Sequence, residues 1–174
     1  MHDRILGPLF LAPQFLVSDK GIGLDTKGFL WIIPINIGAF IGCNTFGFFS
    51  DKFGRRPVFV AYLLVMAVLV WFFGHARSLG AVMVLGPLIG FFGTGFYSGF
   101  GAIFSEIFPT RARGTAQGFC YNVGRGVSAI APPLIGYLVG AYGFATGLTA
   151  VSVFAVAAAL VVLTLPETKG KALD

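Results

Sequence analysis

Gln117, Tyr121 and Arg125 are spaced four residues apart in a long stretch that is otherwise apolar, so on a helix they share one stripe. Asn122, three residues before Arg125, lies close to the same face. A guanidinium beside a phenol and two amides offers hydrogen bonds and one fixed positive charge, which is the chemistry that holds a carboxylate. Arg125 falls about ten residues into its segment, which at about 1.5 Å per residue puts it roughly 16 Å deep, near mid-bilayer. A charge at that depth is costly and by default functional. The structural alternative is an arginine satisfied by helix carbonyls or by a carboxylate on another helix. Asn36 and Asn44 are eight residues apart on a second apolar segment, about 80° apart around a helix. Both can face an interior, and either can equally bond a neighbouring helix.

The remaining charges gather at the ends of apolar runs. In Gly47-Phe48-Phe49-Ser50-Asp51-Lys52-Phe53-Gly54-Arg55-Arg56, Asp51 is placed to accept hydrogen bonds and pair with guanidinium groups. Gly54 permits a sharp turn, and Arg55 and Arg56 supply topogenic charge. Two further segments, Glu106-Ile107-Phe108-Pro109-Thr110-Arg111-Ala112-Arg113-Gly114 and Pro166-Glu167-Thr168-Lys169-Gly170, follow other apolar runs.

These residues must be positioned by helices in lipid. Of 174 residues 56% are hydrophobic and 11% charged, against about 25% charged in a soluble domain. The mean hydropathy is +0.86. The net charge of +5 does not indicate nucleic acid, because the basic residues sit in short loops between apolar runs and not in one patch. Cys43 and Cys120 fall inside apolar segments at no disulfide or metal-ligand spacing, so packing is their expected role. The only histidines are His2 and His75, and no nucleophile–base pair or metal cluster stands out, so neither an enzyme nor a metal site is expected.

A bilayer-crossing helix takes about 20 apolar residues. The runs predict spans over about 29–49, 58–74, 81–104, 115–138 and 144–165, with a shorter partial span over 5–17. With both termini inside, the inner loops hold Arg4, Lys52, Arg55, Arg56, Arg111, Arg113, Lys169 and Lys171, against Lys20, Lys27 and Arg77 outside. That asymmetry obeys the positive-inside rule. Spans 58–74 and 144–165 have hydroxyls as their only polar groups before their ends, and are expected to face lipid. The alternation of polar and apolar spans points to two inverted three-helix repeats. Gly86, Gly90, Gly95 and Gly99 set two GxxxG spacings for close helix packing.

The segment from Gly47 to Arg56 resembles the loop signature of the major facilitator superfamily. The segments after Glu106 and Pro166 are similar to signatures of its sugar-porter and metabolite:proton symporter branches. The resemblance covers essentially the whole chain and implies the C-terminal six-helix half of such a transporter, with its first helix truncated: an all-α integral membrane fold. It implies that Asp51, Arg55, Arg56, Glu106, Arg113 and Glu167 form a cytoplasmic gating network. By residue type and spacing, the candidate substrate site is drawn from Arg125, Asn122, Tyr121, Gln117, Asn36 and Asn44. Asn122-x-Gly124-Arg125, after Phe119-Cys120-Tyr121, resembles symporters of organic acids such as sialate or aromatic acids more than hexose carriers.

The expected function is transport of a small organic anion or sugar acid by proton-coupled alternating access. The setting would be a bacterial inner membrane, with a separate N-terminal six-helix half as partner. None of the seven acids falls mid-span, so a proton-titrating group would have to come from that other half. Two alternatives stay open: a carrier of neutral sugars, and a truncated product without transport activity.

Overall fold

A computed structural model of the chain describes residues 27–76, 78–165 and 167. The expected partial span over 5–17, and Lys169 and Lys171 of the tail, lie outside the described residues. Among the described residues the chain forms helices α1 (Lys27–Phe53), α2 (Arg55–His75), α3 (Leu79–Ile107), α4 (Arg113–Ser128), α5 (Ala131–Tyr142) and α6 (Phe144–Thr164). Four stretches are long and apolar enough to cross a membrane: Ile32–Phe53, Arg55–His75, Gly80–Ile107 and Phe144–Thr164. In hydrocarbon a backbone must satisfy its own hydrogen bonds, so uncharged runs of this length become helices.

α1 packs along α3, and α2 packs between α3 and α6. Glycines set the first contact. Gly38 and Gly42 of α1 lie directly over the backbone carbonyls of Pro87 and Phe91 on α3, and Gly90 of α3 lies over that of Ile35. Gly99 gives room to the rings of Phe46 and Phe59. Without a hydrophobic drive between helices in lipid, such close approach is what holds them together. Two polar bonds cross the same seam: Ser98 Oγ to the Cys43 carbonyl at 3.3 Å and Cys43 Sγ to the Thr94 carbonyl at 3.6 Å.

The core behind this seam is aromatic. Phe46, Phe59 and Tyr62 are buried with Val58 and Ile103, and Phe91, Phe92, Phe96, Phe100 and Phe104 pack against them. Phe46 meets Phe59 and Tyr62 edge to face at 4.9 and 5.0 Å, the arrangement aromatic quadrupoles favour. The two helices expected to face lipid, α2 and α6, also pack on one another. α6 turns the small residues Gly147, Ser152, Ala155 and Ala159 inward while Phe154, Leu160 and Val161 stay exposed. Large exposed apolar side chains on every described helix form a surface suited to lipid.

The span expected over 115–138 is broken. α4 ends at Ser128, Ala129 and Ile130 form a turn, and α5 runs on to Tyr142. The cause is Pro132-Pro133 in the first turn of α5, because neither proline has an N–H to give the carbonyls of Ser128 and Ala129. The loop expected between 49 and 58 is also different. α1 continues through Asp51 to Phe53 and α2 starts at Arg55, so Gly54 alone makes the turn.

Gly54 has φ 106° and ψ 152°, a region open essentially to glycine alone. Gly143, the single residue between α5 and α6, has nearly the same conformation, φ 90° and ψ 166°. The last helix of each expected triplet is therefore entered by the same one-glycine turn, which fits the inverted repeat. Gly54→Ala is expected to cost about 1–3 kcal/mol from backbone strain, and its new Cβ would lie 2.9 Å from Glu167 Oε2. Chemical unfolding of the detergent-solubilised variant measures this, and an unchanged midpoint would contradict it.

Candidate functional site

One end of the bundle gathers the charges. α1 and α3 end there and α2 and α4 begin there, bringing Lys52, Arg55, Arg56, Arg111 and Arg113 to the same end. α2 opens on two arginines with no acid in its first turn, the wrong sign for the positive end of a helix dipole. The fold supplies the missing acids. Glu167 accepts hydrogen bonds from the backbone N–H groups of Arg55 (2.8 Å) and Arg56 (3.1 Å), capping α2 from beyond the end of α6.

The Arg55 side chain reaches the other way. Its Nε and Nη2 donate to Glu106 Oε1 at 3.1 and 2.9 Å. Its Nη1 lies 2.6 Å from Asp51 Oδ1 and donates to Ser50 Oγ at 2.7 Å. Arg55 and Glu106 keep only 17% and 11% of their side-chain surface, whereas Asp51 keeps 67%. The Glu106 bond is therefore the sheltered one, and it ties α2 to α3.

Of the expected network, Asp51, Arg55, Glu106 and Glu167 are joined directly, and Arg56 takes part through its backbone N–H. Arg113 opens α4 half-buried at the same end. Ser50, fully buried and donating in turn to the Gly47 carbonyl at 2.9 Å, was not anticipated. Its only signal was its position next to Asp51.

The second site lies between α3 and α4. Phe96, Tyr97, Phe100 and Phe104 face Tyr121 and Arg125 across a cleft of about 240 Å³, with Cys120, Gly124 and Ser128 completing its wall. The Arg125 guanidinium sits over the Tyr121 ring, 5.7 Å from its centroid, a cation–π contact. Among the described residues Arg125 is in no ion pair. Gln117, one turn before Tyr121, donates to the Gly101 carbonyl of α3 at 3.4 Å, at the edge of hydrogen-bond range.

The three asparagines do not join this cleft. Asn36, Asn44 and Asn122 each donate to the carbonyl four residues earlier, those of Ile32, Phe40 and Gly118, at 2.7–2.8 Å. All three are exposed. A short amide on a helix finds its own backbone before it finds a neighbour. The aromatic wall of α3 was missed beyond Tyr97, although Phe96, Phe100 and Phe104 repeat every four residues.

The family described as Major Facilitator Superfamily matches residues 5–174. A Haemophilus influenzae protein whose name proposes metabolite transport is 34% identical over 97% of this chain and 41% of its own length. A cis,cis-muconate transport protein of Acinetobacter baylyi is 32% identical over 72% of this chain and 30% of its own. A sialic acid transporter of Escherichia coli is 30% identical over 92% of this chain and 40% of its own. The chain thus spans no more than about two-fifths of each of these relatives, and transport, not catalysis, is what their names share. With membrane-length helices, a glycine-turn charge cluster and a family match across nearly its whole length, this integral membrane chain belongs to the major facilitator superfamily.

Proposed function

We propose that this chain forms half of a carrier for a small organic anion, working by proton-coupled alternating access with a second six-helix half. The observation that carries the reading is Arg125, a guanidinium without an ion-pair partner among the described residues, held over Tyr121 in a cleft between two helices. It is exposed in the last turn of α4, where the helix dipole favours a cation, and its guanidinium can still pair with an anion. Relatives that span more than twice its length and are named for muconate and sialic acid support both the anion and the second half. In this reading Tyr121 and Gln117 flank Arg125. Asn36, Asn44 and Asn122 stay outside unless their rotamers change.

The cluster of Asp51, Arg55, Arg56, Glu106, Arg113 and Glu167 acts as the gate at the basic end, which faces the cytoplasm of a bacterial inner membrane. Its ion pairs tie α1, α2 and α3 together in one state and part in the other. The proton-carrying carboxylate comes from the second half.

Uptake of a radiolabelled carboxylate by the carrier that contains this chain tests the reading. Arg125→Gln is expected to weaken apparent affinity about 10- to 100-fold, the value of a hydrogen bond to a charged group. A protonophore is expected to abolish accumulation. Unchanged carboxylate uptake by the variant would remove the anion reading.

A further inference from the structure

We infer that the cleft between α3 and α4 takes a flat carboxylic acid, aromatic or conjugated, and discriminates against polyhydroxylated sugar acids. This rests on the reading that Arg125 binds the substrate's anionic group, and it narrows that reading to a chemical class.

The wall opposite Arg125 is made of rings. Phe96 and Tyr97 lie nearly parallel with centroids 4.7 Å apart, and Phe100 stacks on Phe104 at 5.8 Å. This wall is fixed from behind, because buried Phe59 meets Phe100 edge to face at 5.2 Å and Phe96 at 6.3 Å. A rigid aromatic surface facing a cation suits a planar ligand, with ring stacking on one side and carboxylate paired on the other.

Polar partners for anything else are few. Tyr97 and Tyr121 contribute phenols, but the Ser128 hydroxyl already donates to the Arg125 carbonyl at 2.9 Å. Among the described residues, the hydroxyls of a sugar acid would find few partners on this wall, a loss a flat acid does not suffer.

Cys120 in the cleft wall provides a readout independent of transport. In the carrier that contains this chain, with Cys120 as its only cysteine and reconstituted in liposomes, the rate at which a maleimide labels Cys120 is measured with benzoate, gluconate or benzyl alcohol. Benzoate at about ten times its Kd is expected to slow labelling about tenfold by occupancy. Gluconate and benzyl alcohol at the same concentration should leave the rate nearly unchanged. Arg125→Gln should abolish benzoate protection while the variant keeps the size-exclusion profile of the folded carrier, and Gly47→Ala, outside the cleft, should keep both the ligand-free rate and the protection. Phe100→Leu, apolar but without the ring, should weaken protection.

Gluconate protecting as well as benzoate would overturn the preference for a flat acid and leave Arg125 as an anion site. Benzyl alcohol protecting equally would overturn the anion reading itself. No protection by any of the three would overturn the site.

Discussion

Valine at Gly42 should leave the chain unable to hold α1 against α3. A Cβ at this position would run into the backbone carbonyl of Phe91, and that carbonyl belongs to a helix and cannot move aside as a side-chain tip can. Overpacking usually costs about 1–3 kcal/mol and occasionally more. A collision with backbone at the tightest seam of the bundle is expected at or above the top of that range. Gly38 of the same helix meets the Pro87 carbonyl in the same way, so the seam has no slack one turn before Gly42 either.

The control lies five residues along the same helix. Gly47 has nothing within 4 Å of a Cβ, and alanine there should be neutral or gain up to about 1 kcal/mol from helix propensity. Chemical unfolding in detergent, with size-exclusion profiles, reads both variants. Equal stability of Gly42→Val and Gly47→Ala would show that close backbone approach does not hold these helices together.

Arg55→Ala should be nearly as damaging, for an electrostatic reason. Glu106 keeps 11% of its surface and receives two hydrogen bonds from Arg55. Removing one partner of a fully buried pair costs about 3–5 kcal/mol. Arg55 and Glu106 are half-buried and Glu106 keeps a further contact, so the expected loss falls below that range, at about 1–3 kcal/mol.

Asp51→Asn should by contrast cost no more than about 0.2–1 kcal/mol, as an exposed ion pair does. Arg55→Lys should recover only part of the loss, since a point charge cannot serve Glu106, Asp51 and Ser50 together. A double-mutant cycle of Arg55→Ala with Glu106→Gln separates the pair from its surroundings. If Asp51→Asn proved as costly as Glu106→Gln, the sheltered bond would not be the one that matters.

The two results bear on function differently. Gly42 belongs to the packing of α1 on α3, so its loss should harm the folded chain as a whole. The Arg55–Glu106 pair belongs to the proposed gate. Its loss should also speed exchange between inward- and outward-facing states, because a broken pair no longer favours the closed one.

Composition and pattern determined much of this chain. Uncharged runs near 20 residues leave a backbone in lipid no alternative to helix, so four membrane-length helices were legible from residue types alone. The basic loops and the glycine between Phe53 and Arg55 were legible as well. Arg125 was conspicuous because a charge inside an apolar run is too costly to be incidental.

Other features depended on contacts that no local window contains. Glu167 caps α2 from 112 residues away, compensating two arginines that local rules would judge misplaced. Asn36, Asn44 and Asn122 were candidates for the interior by residue type, but their amides settle on their own helices. The aromatic wall was hidden by abundance: with 20 phenylalanines in the chain, residue type gives no contrast. Which rings face Arg125 is decided by where α3 lies. That position is fixed by glycines meeting carbonyls along α1, and by Phe59 of α2 pressing from behind. Period and composition name the helices, but only the packed bundle chooses which face of each one meets the cleft.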